Sequence, residues 1–304
     1  MQRKRRSIMG RMGYLYILPW IIGFLAFQII PMISSLVISF QDNDGISKAV
    51  PVGFKNYLNL FTVDKLFPMS LVNTLLYILV TITIGIGLAV FIAALLYERI
   101  KGRNIFKVIF FLPNLVLPVA FGMMMRPVFD TQRHGLVNLF FGMFGVEPVA
   151  WLETPGVANW VLNFTSLWYI GASAMIFLAG ISNQERSVYE AAEIDGASWL
   201  QKLFHITLPL LAPVIFFQII MGILSGLQIF DLPVSLANIG GQTSFSMGKQ
   251  NCLATLVFYL YISLMRNWKF GYAAAIGWFI FVVGLLVTVL IIVFQKKSKS
   301  MYAD

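Results

Sequence analysis

Long apolar stretches alternate with short polar ones along the whole chain. Crossing a hydrocarbon layer about 30 Å thick at about 1.5 Å per helical residue takes about 20 mostly apolar residues. Five segments meet that length with no Lys, Arg, Asp or Glu inside them: Tyr14–Phe40, Leu71–Tyr97, Val157–Ile181, Pro209–Phe230 and Gly271–Phe294. A sixth, Ile105–Phe129, carries Lys107 and Arg126 near its two ends, where long cationic side chains snorkel to the interface. The run Leu253–Leu264 is 12 residues long, too short to span, and reads as a re-entrant or buried piece. The pattern predicts an all-α polytopic membrane protein with six transmembrane helices. Residues 1–304 are expected to form a single transmembrane domain, since no repeat at solenoid spacing is visible and nothing reads as a separate soluble part.

Charge then orients the spans. With the N-terminus inside, fourteen Lys and Arg fall on the cytoplasmic side and eight outside. The inner set is the "RKRR" run with Arg11, the Arg99/Lys101/Arg103/Lys107 cluster, Arg186 and Lys202, and Lys296, Lys297 and Lys299. A seventh span would put the basic tail outside, against the positive-inside rule. Both termini are therefore expected in the cytoplasm, with outer loops at Gln41–Ser70, Asp130–Gly156 and Asp231–Phe270. The first apolar run is too long for a cleaved signal peptide and no A-x-A-like site follows, so it reads as an anchor.

Composition agrees. Only 35 of 304 residues are Lys, Arg, Asp or Glu, which is 12% against about 25% for soluble domains. The net charge of +9 does not indicate nucleic acid, because the basic residues cluster beside apolar segments. Cys252 is the single cysteine and reads as a small buried hydrophobe. His134 and His205 have no Cys or His at ligand spacing, so no metal site is read. Pro19, Pro31, Pro113 and Pro118 lie inside spans and permit kinks. Gly222 with Gly226, and Ala273, Ala274 and Gly277, offer small surfaces for close helix contact.

One polar stretch stands out: "VYEAAEIDGASWLQKLFHITLP", within the loop 182–208 that faces the cytoplasm on this topology. It reads as two short helices around a turn at Gly196, which accepts a left-handed backbone without steric cost. Ser187 with Glu190, and Ser198 with Gln201, have capping-box spacing. Val188, Ala191 and Ala192 share one helical face; Trp199, Leu203 and Phe204 share another. Small alanines let a partner surface approach closely, while Glu190, Glu193 and Asp195 meet cations. The same residues also suit a plain helical hairpin, with Glu190 only a cap and the alanines only helix formers.

The order Glu190-Ala191-Ala192, three residues, Gly196, nine residues, then Ile206-x-Leu208-Pro209 resembles the EAA signature of ABC-type importer permeases. "ITLPLLAP", "LQIFD" and "FGYAAAIGW" resemble the carbohydrate-uptake branch, over most of the chain and most densely from Trp151 onward. Where that branch often has Gly-Gly-Pro, this chain has Gly240-Gly241-Gln242 followed by a polar tract. The resemblance implies a non-catalytic permease subunit of a bacterial or archaeal cell membrane. It would form half of a pathway for a sugar, oligosaccharide or related polar solute. Its implied partners are a second, different permease chain of similar fold, two cytoplasmic ATP-binding subunits holding ATP and Mg, an extracytoplasmic solute-binding protein and the lipid bilayer. Glu190, Ala191, Ala192, Gly196, Ile206, Leu208 and Pro209 would couple to the ATPases: Glu190 by charge, the alanines by close contact, Gly196 as the turn and Leu208-Pro209 as the junction to the fifth span.

The chain carries no ATPase motif of its own. Around Gly248-Lys249, Thr243 stands where a phosphate loop needs Gly, and Gln250 where it needs Ser or Thr. A polar solute calls for amides and aromatic faces between helices, for which Asn114, Trp168, Tyr169, Gln218, Gln228 and Asp231 are the candidates. Buried amides also serve simply to bridge helices. The competing reading is a secondary carrier or channel, but five of the six spans hold no Asp, Glu, Lys or Arg, the charges an ion-coupled carrier uses. A scaffold without transport activity would need the docking loop alone.

Overall fold

The computed structural model describes residues 16–98, 101–130, 135–237 and 246–301, with side chains described as far as residue 293. The basic N-terminal run, Arg99, His134, the Gly240–Gln242 stretch and the side chains of the basic tail lie outside the described residues. The regular structure of the described residues is almost entirely helical. The exception is one two-stranded antiparallel pair, β1 (Gln41–Asp42) with β2 (Val50–Pro51).

The helices fall close to the apolar segments. They are α1 (Tyr16–Ser39), α2 (Lys55–Thr62), α3 (Leu66–Tyr97), α4 (Arg103–Leu115), α5 (Pro118–Val128), α6 (Leu136–Gly142), α7 (Val157–Ser182), α8 (Arg186–Ile194), α9 (Trp199–Leu227), α10 (Asp231–Ala237), α11 (Leu256–Met265) and α12 (Phe270–Met301). Among the described residues, α1, α3, α7, α9 and the Phe270–Val293 part of α12 are long and apolar enough to cross a membrane.

The third expected span departs from a single helix. It is broken into α4 and α5, which meet at 94°. Pro113 and Pro118 remove two backbone donors, and Val116 and Leu117 adopt extended backbone between the halves. Counting the broken pair as one span gives six.

The chain divides into two compact units. One contains the described residues up to Val63 together with Ser263–Phe279; the other contains Asp64–Ile262 and the chain from Ile280 on. In the first, the end of α1 is tied to α2. Asn56 donates to the carbonyls of Ser39 and Gln41, at 2.9 Å each, and the Ser39 and Tyr57 hydroxyls bond at 2.7 Å.

The second unit is built on small residues. Ala89 and Ala93 of α3 share a core with Ala174, Phe177 and Ile181 of α7 and Leu211 of α9. A Cβ added at Gly226 of α9 would lie 2.5 Å from Ile78 of α3, so the glycine sets how closely those helices approach. At one end of this unit the short α11 is received by polar groups of α3. The Thr74 hydroxyl accepts from the Leu256 N–H at 3.0 Å, and Asn73 donates to the carbonyls of Cys252 and Ala254 at 3.2 and 2.9 Å. Those contacts satisfy backbone groups at the helix start, and the first turns of α11 are buried. Cys252 is buried here as well, and burial pushes its thiol pKa up.

Candidate functional site

The hairpin of α8 and α9 carries the acidic, alanine-bearing stretch. Gly196 follows α8 with φ +75°. Its N–H donates to the Glu193 carbonyl at 3.1 Å and the Ala197 N–H to the Ala192 carbonyl at 2.9 Å. Together they make a Schellman closure, which a left-handed residue at this place permits. Ser198 then starts α9 with a reciprocal capping box. Its N–H donates to Gln201 Oε1 at 2.7 Å, and the Gln201 N–H donates to its Oγ at 3.4 Å.

The first expected capping box is not formed. α8 begins at Arg186, so Ser187 already lies inside the helix and Glu185 is the cap residue. Glu190 instead pairs with Arg186 one turn earlier, at 2.7 Å. Both side chains are largely in solvent, so the pair contributes only about 0.3–0.5 kcal/mol.

Three contacts fasten the hairpin to the end of α3. Tyr189 is buried, its ring 5.3 Å from that of Tyr97 and its hydroxyl 3.3 Å from Thr207 Oγ1. Burial pushes the Tyr189 phenol up, partly offset by the Thr207 bond. Lys202, its side chain 12% exposed, meets Glu193 at 2.9 Å and Glu98 at 3.6 Å. The Trp199 ring stands edge-on to Phe91 at 5.6 Å.

With one side held, the other is presented outward. Glu190, Ala191, Gly196 and Pro209 are exposed and Ala192 is half-buried. Val188, Leu200 and Ile194 are exposed too, Ile194 at 87%. Ile206 and Leu208 pack partly against the core behind.

The expected face of Trp199, Leu203 and Phe204 is split: Leu203 is buried and Phe204 is exposed. Residues Leu203–Thr207 form a π-helical turn, which changes the angular phase that α-helical spacing assumes. That wider turn also carries the helix straight into Pro209, so α9 begins ten residues before the expected start of the fifth span.

A second feature lies between α3, α7 and α9. A cleft of about 300 Å³ is lined by the hydroxyls and amide of Tyr77, Thr81, Ser166, Ser173, Gln218 and Ser225, among apolar walls from Ile82, Ile170 and Met221. None of its lining residues is Asp, Glu, Lys, Arg or His. α3 carries another π-helical turn at Thr81–Gly85, which forms part of this wall.

Of the six pathway candidates, Tyr169 and Gln218 line the cleft. Gln218 donates to Ser173 at 2.9 Å, and the Tyr169 hydroxyl donates to the Val116 carbonyl at 3.2 Å. The others lie elsewhere. Asn114, its amide oriented to satisfy both atoms, bridges the Tyr169 carbonyl at 3.0 Å and the Ala172 N–H at 3.1 Å. Trp168 stacks on Phe121 at 5.3 Å, and Gln228 and Asp231 are exposed beyond the end of α9.

The family described as binding-protein-dependent transport system inner membrane component matches residues 82–300, which include the hairpin and all of the cleft's lining except Tyr77 and Thr81. The chain belongs to that family. It is a permease subunit of a binding-protein-dependent ABC importer, non-catalytic and multi-pass in a bacterial or archaeal inner membrane.

The permease is 34% identical to the probable ABC transporter permease protein YesP of Bacillus subtilis, over 97% of this chain and 94% of that one. It is 31% identical to the arabinooligosaccharides transport system permease protein AraP of the same organism, over 91% and 86%. It is also 31% identical to the lactose transport system permease protein LacF of Rhizobium radiobacter, over 91% of both. Its fold matches a chain of a bacterial ABC transporter involved in import of the acidic polysaccharide alginate, with a TM-score of 0.83 at 22% identity, covering 98% and 99% of the two chains.

Sequence reading missed Tyr189, Lys202 and Thr207 in the permease's hairpin, and Tyr77, Thr81, Ser166, Ser173 and Ser225 in its cleft. Isolated hydroxyls in apolar helices carry little signal one at a time. Their spacing did offer one, since Tyr77 and Thr81 lie one turn apart on α3, and Gln218 and Ser225 lie two turns apart on α9.

Proposed function

We propose that this permease works with six spans and both termini in the cytoplasm, residues 1–304 acting as one domain, and that the 182–208 hairpin is its grip for cytoplasmic ATPase subunits. The observation that carries this reading is the hairpin's construction. A buried Tyr189 and a doubly paired Lys202 hold it to α3, while Glu190, Ala191 and the apolar Ile194 and Leu200 face outward. A handle that moved independently of its own spans could not transmit a partner's motion. One strapped to α3 and continuous with α9 shifts those helices with it, as far as the partner favours one conformation over the other.

ATP and Mg belong to the partner subunits in this scheme. A second permease chain of similar fold completes the pathway, and an extracytoplasmic binding protein delivers the solute. The bacterial alginate ABC transporter, of similar fold, has been crystallised in complex with its alginate pentasaccharide-bound periplasmic protein. The solute is a sugar or oligosaccharide. Support comes from the names of relatives that transport arabinooligosaccharides, lactose and trehalose or maltose. It also comes from the cleft, whose hydroxyls, amide and aromatic rings suit a neutral polyol better than an ion. Tyr169 and Gln218 would contact cargo there.

Reconstitution tests the reading. Proteoliposomes holding both permease chains and the ATPases should take up labelled oligosaccharide only when ATP is inside and binding protein outside. Uptake by this chain alone, driven by an ion gradient, would instead establish a secondary carrier.

A further inference from the structure

The loop between α5 and α7 is built inside out for a water-exposed segment. From Gly135 to Val146 it has no charged residue. Its one amide, Asn138, is buried and fully used: it donates to the carbonyls of Asp130 at 2.9 Å and Val149 at 3.0 Å, and accepts from the Val149 N–H at 3.0 Å and Trp151 Nε1 at 2.8 Å. After α6 the chain closes on itself, with Val146 N–H on the Phe141 carbonyl at 3.2 Å, Gly145 N–H on the Gly142 carbonyl at 3.1 Å, and Gly145 at φ +77°. The loop is thus ordered by its own polar core, and what it turns outward is carbon. Leu136, Leu139, Phe140 and Phe144 are exposed, Phe144 at 72%, and Met143 reaches 81%.

Ring packing, through the buried Phe129, links this loop to the side of a membrane span. Rings run from Phe141 to Trp151 at 6.1 Å, Trp151 to Phe129 at 6.3 Å, and Phe129 to Phe164 at 6.5 Å. Phe164 and its neighbour Trp160 are exposed on the first turns of α7, the turns that enter the membrane. Tryptophan and other amphipathic rings collect at the level of the lipid headgroups. We propose that residues 135–146 are an in-plane membrane anchor, with Leu139, Phe140, Met143 and Phe144 seated in the boundary between lipid headgroups and acyl chains. The anchor fixes the end of the broken α4–α5 span relative to the bilayer surface, where the 94° bend leaves α5 too short to cross alone. The inference needs only the family assignment and the span positions, and is independent of the solute.

Depth-dependent quenching tests it. With Cys252→Ser as background, Met143→Cys and Phe144→Cys each carry a bimane probe, in the assembled transporter in nanodiscs of phosphatidylethanolamine and phosphatidylglycerol. Both positions are exposed, and the one ring contact given up is the edge-on pair of Phe144 with Phe140 at 5.4 Å. Lys48→Cys, in an exposed polar loop, reports water, and Leu285→Cys, exposed on α12, reports the hydrocarbon. For a face lying about 5–10 Å into the interface, a lipid nitroxide near the headgroup should quench both probes on the order of fivefold more than it quenches Lys48→Cys. A nitroxide at the chain end should quench them less than it quenches Leu285→Cys. Iodide quenching equal to that at Lys48→Cys would place the loop in water. Protection from every quencher would place it under a protein partner, and strongest quenching from the chain end would place it in the hydrocarbon. Each of those three results overturns the anchor.

Discussion

Gly196 offers a perturbation whose cost follows from backbone geometry alone. Its φ is +75°, and a Cβ built there meets nothing within 4 Å, so any side chain fits and only the conformation resists. For an L-residue that conformation costs about 1–2 kcal/mol. The closed turn should then lose population by a factor of roughly 5 to 30 relative to open forms. Gly196→Ala and Gly196→Leu should therefore be impaired alike, with Gly196→Asn milder because asparagine tolerates the left-handed region.

Two readouts follow the turn. Hydrogen exchange at the Gly196 and Ala197 amides, which now donate to Glu193 and Ala192, should quicken by that factor. Transport per ATP hydrolysed should fall while the protein still inserts and assembles. Unchanged exchange and coupling in Gly196→Ala would refute the role of the turn. A Leu variant far worse than Ala would refute the backbone argument by showing that a partner packs against this position.

Three further outcomes test the framework. Tyr189→Phe should lose the Thr207 hydrogen bond, about 0.5–1.5 kcal/mol, whereas Tyr189→Ala should lose about 3–5 kcal/mol of packing against Tyr97; thermal unfolding in detergent separates them, and equal small effects would contradict the anchoring role. Gly171→Ala drives a Cβ into the Phe110 carbonyl where α7 crosses α4, so stability should drop by about 1–3 kcal/mol in the same assay, and an unchanged melting temperature would show that the crossing is looser than described. Gln218→Leu keeps the volume but removes the amide from the cleft, which should weaken apparent solute affinity by up to roughly tenfold with basal ATPase activity intact; unaltered uptake kinetics would take Gln218 out of the pathway.

Spans were legible because hydropathy over twenty residues sums many small terms: Val157–Ile181 was expected and Val157–Ser182 is helical. The break in the third span was only half legible. Pro113 and Pro118 announce it, but the 94° angle accompanies contacts made with α7, Tyr169 on Val116 and Gly171 against Phe110, which no local pattern contains. In the hairpin, Gly196 and the Ser198 cap were readable since both are local chemistry. Glu190 was misread as half of a capping box because the helix already starts at Arg186, which puts Ser187 inside it and leaves Glu190 to pair with Arg186. Phe204 was placed on the wrong face because periodicity assumes an unbroken α-helix, and a π-helical turn intervenes. The cleft was least legible, its hydroxyls being brought together from three helices far apart in sequence.

The claim that the hairpin is held by ATPases inside the cell has one direct test. Ala191→Cys, with Cys252→Ser, places a thiol on the exposed face of α8 for a membrane-impermeant maleimide. The account predicts labelling in inside-out vesicles, none in right-side-out ones, and protection once the ATPase subunits are bound. Labelling from the outside, or labelling that bound ATPase leaves unchanged, would contradict it.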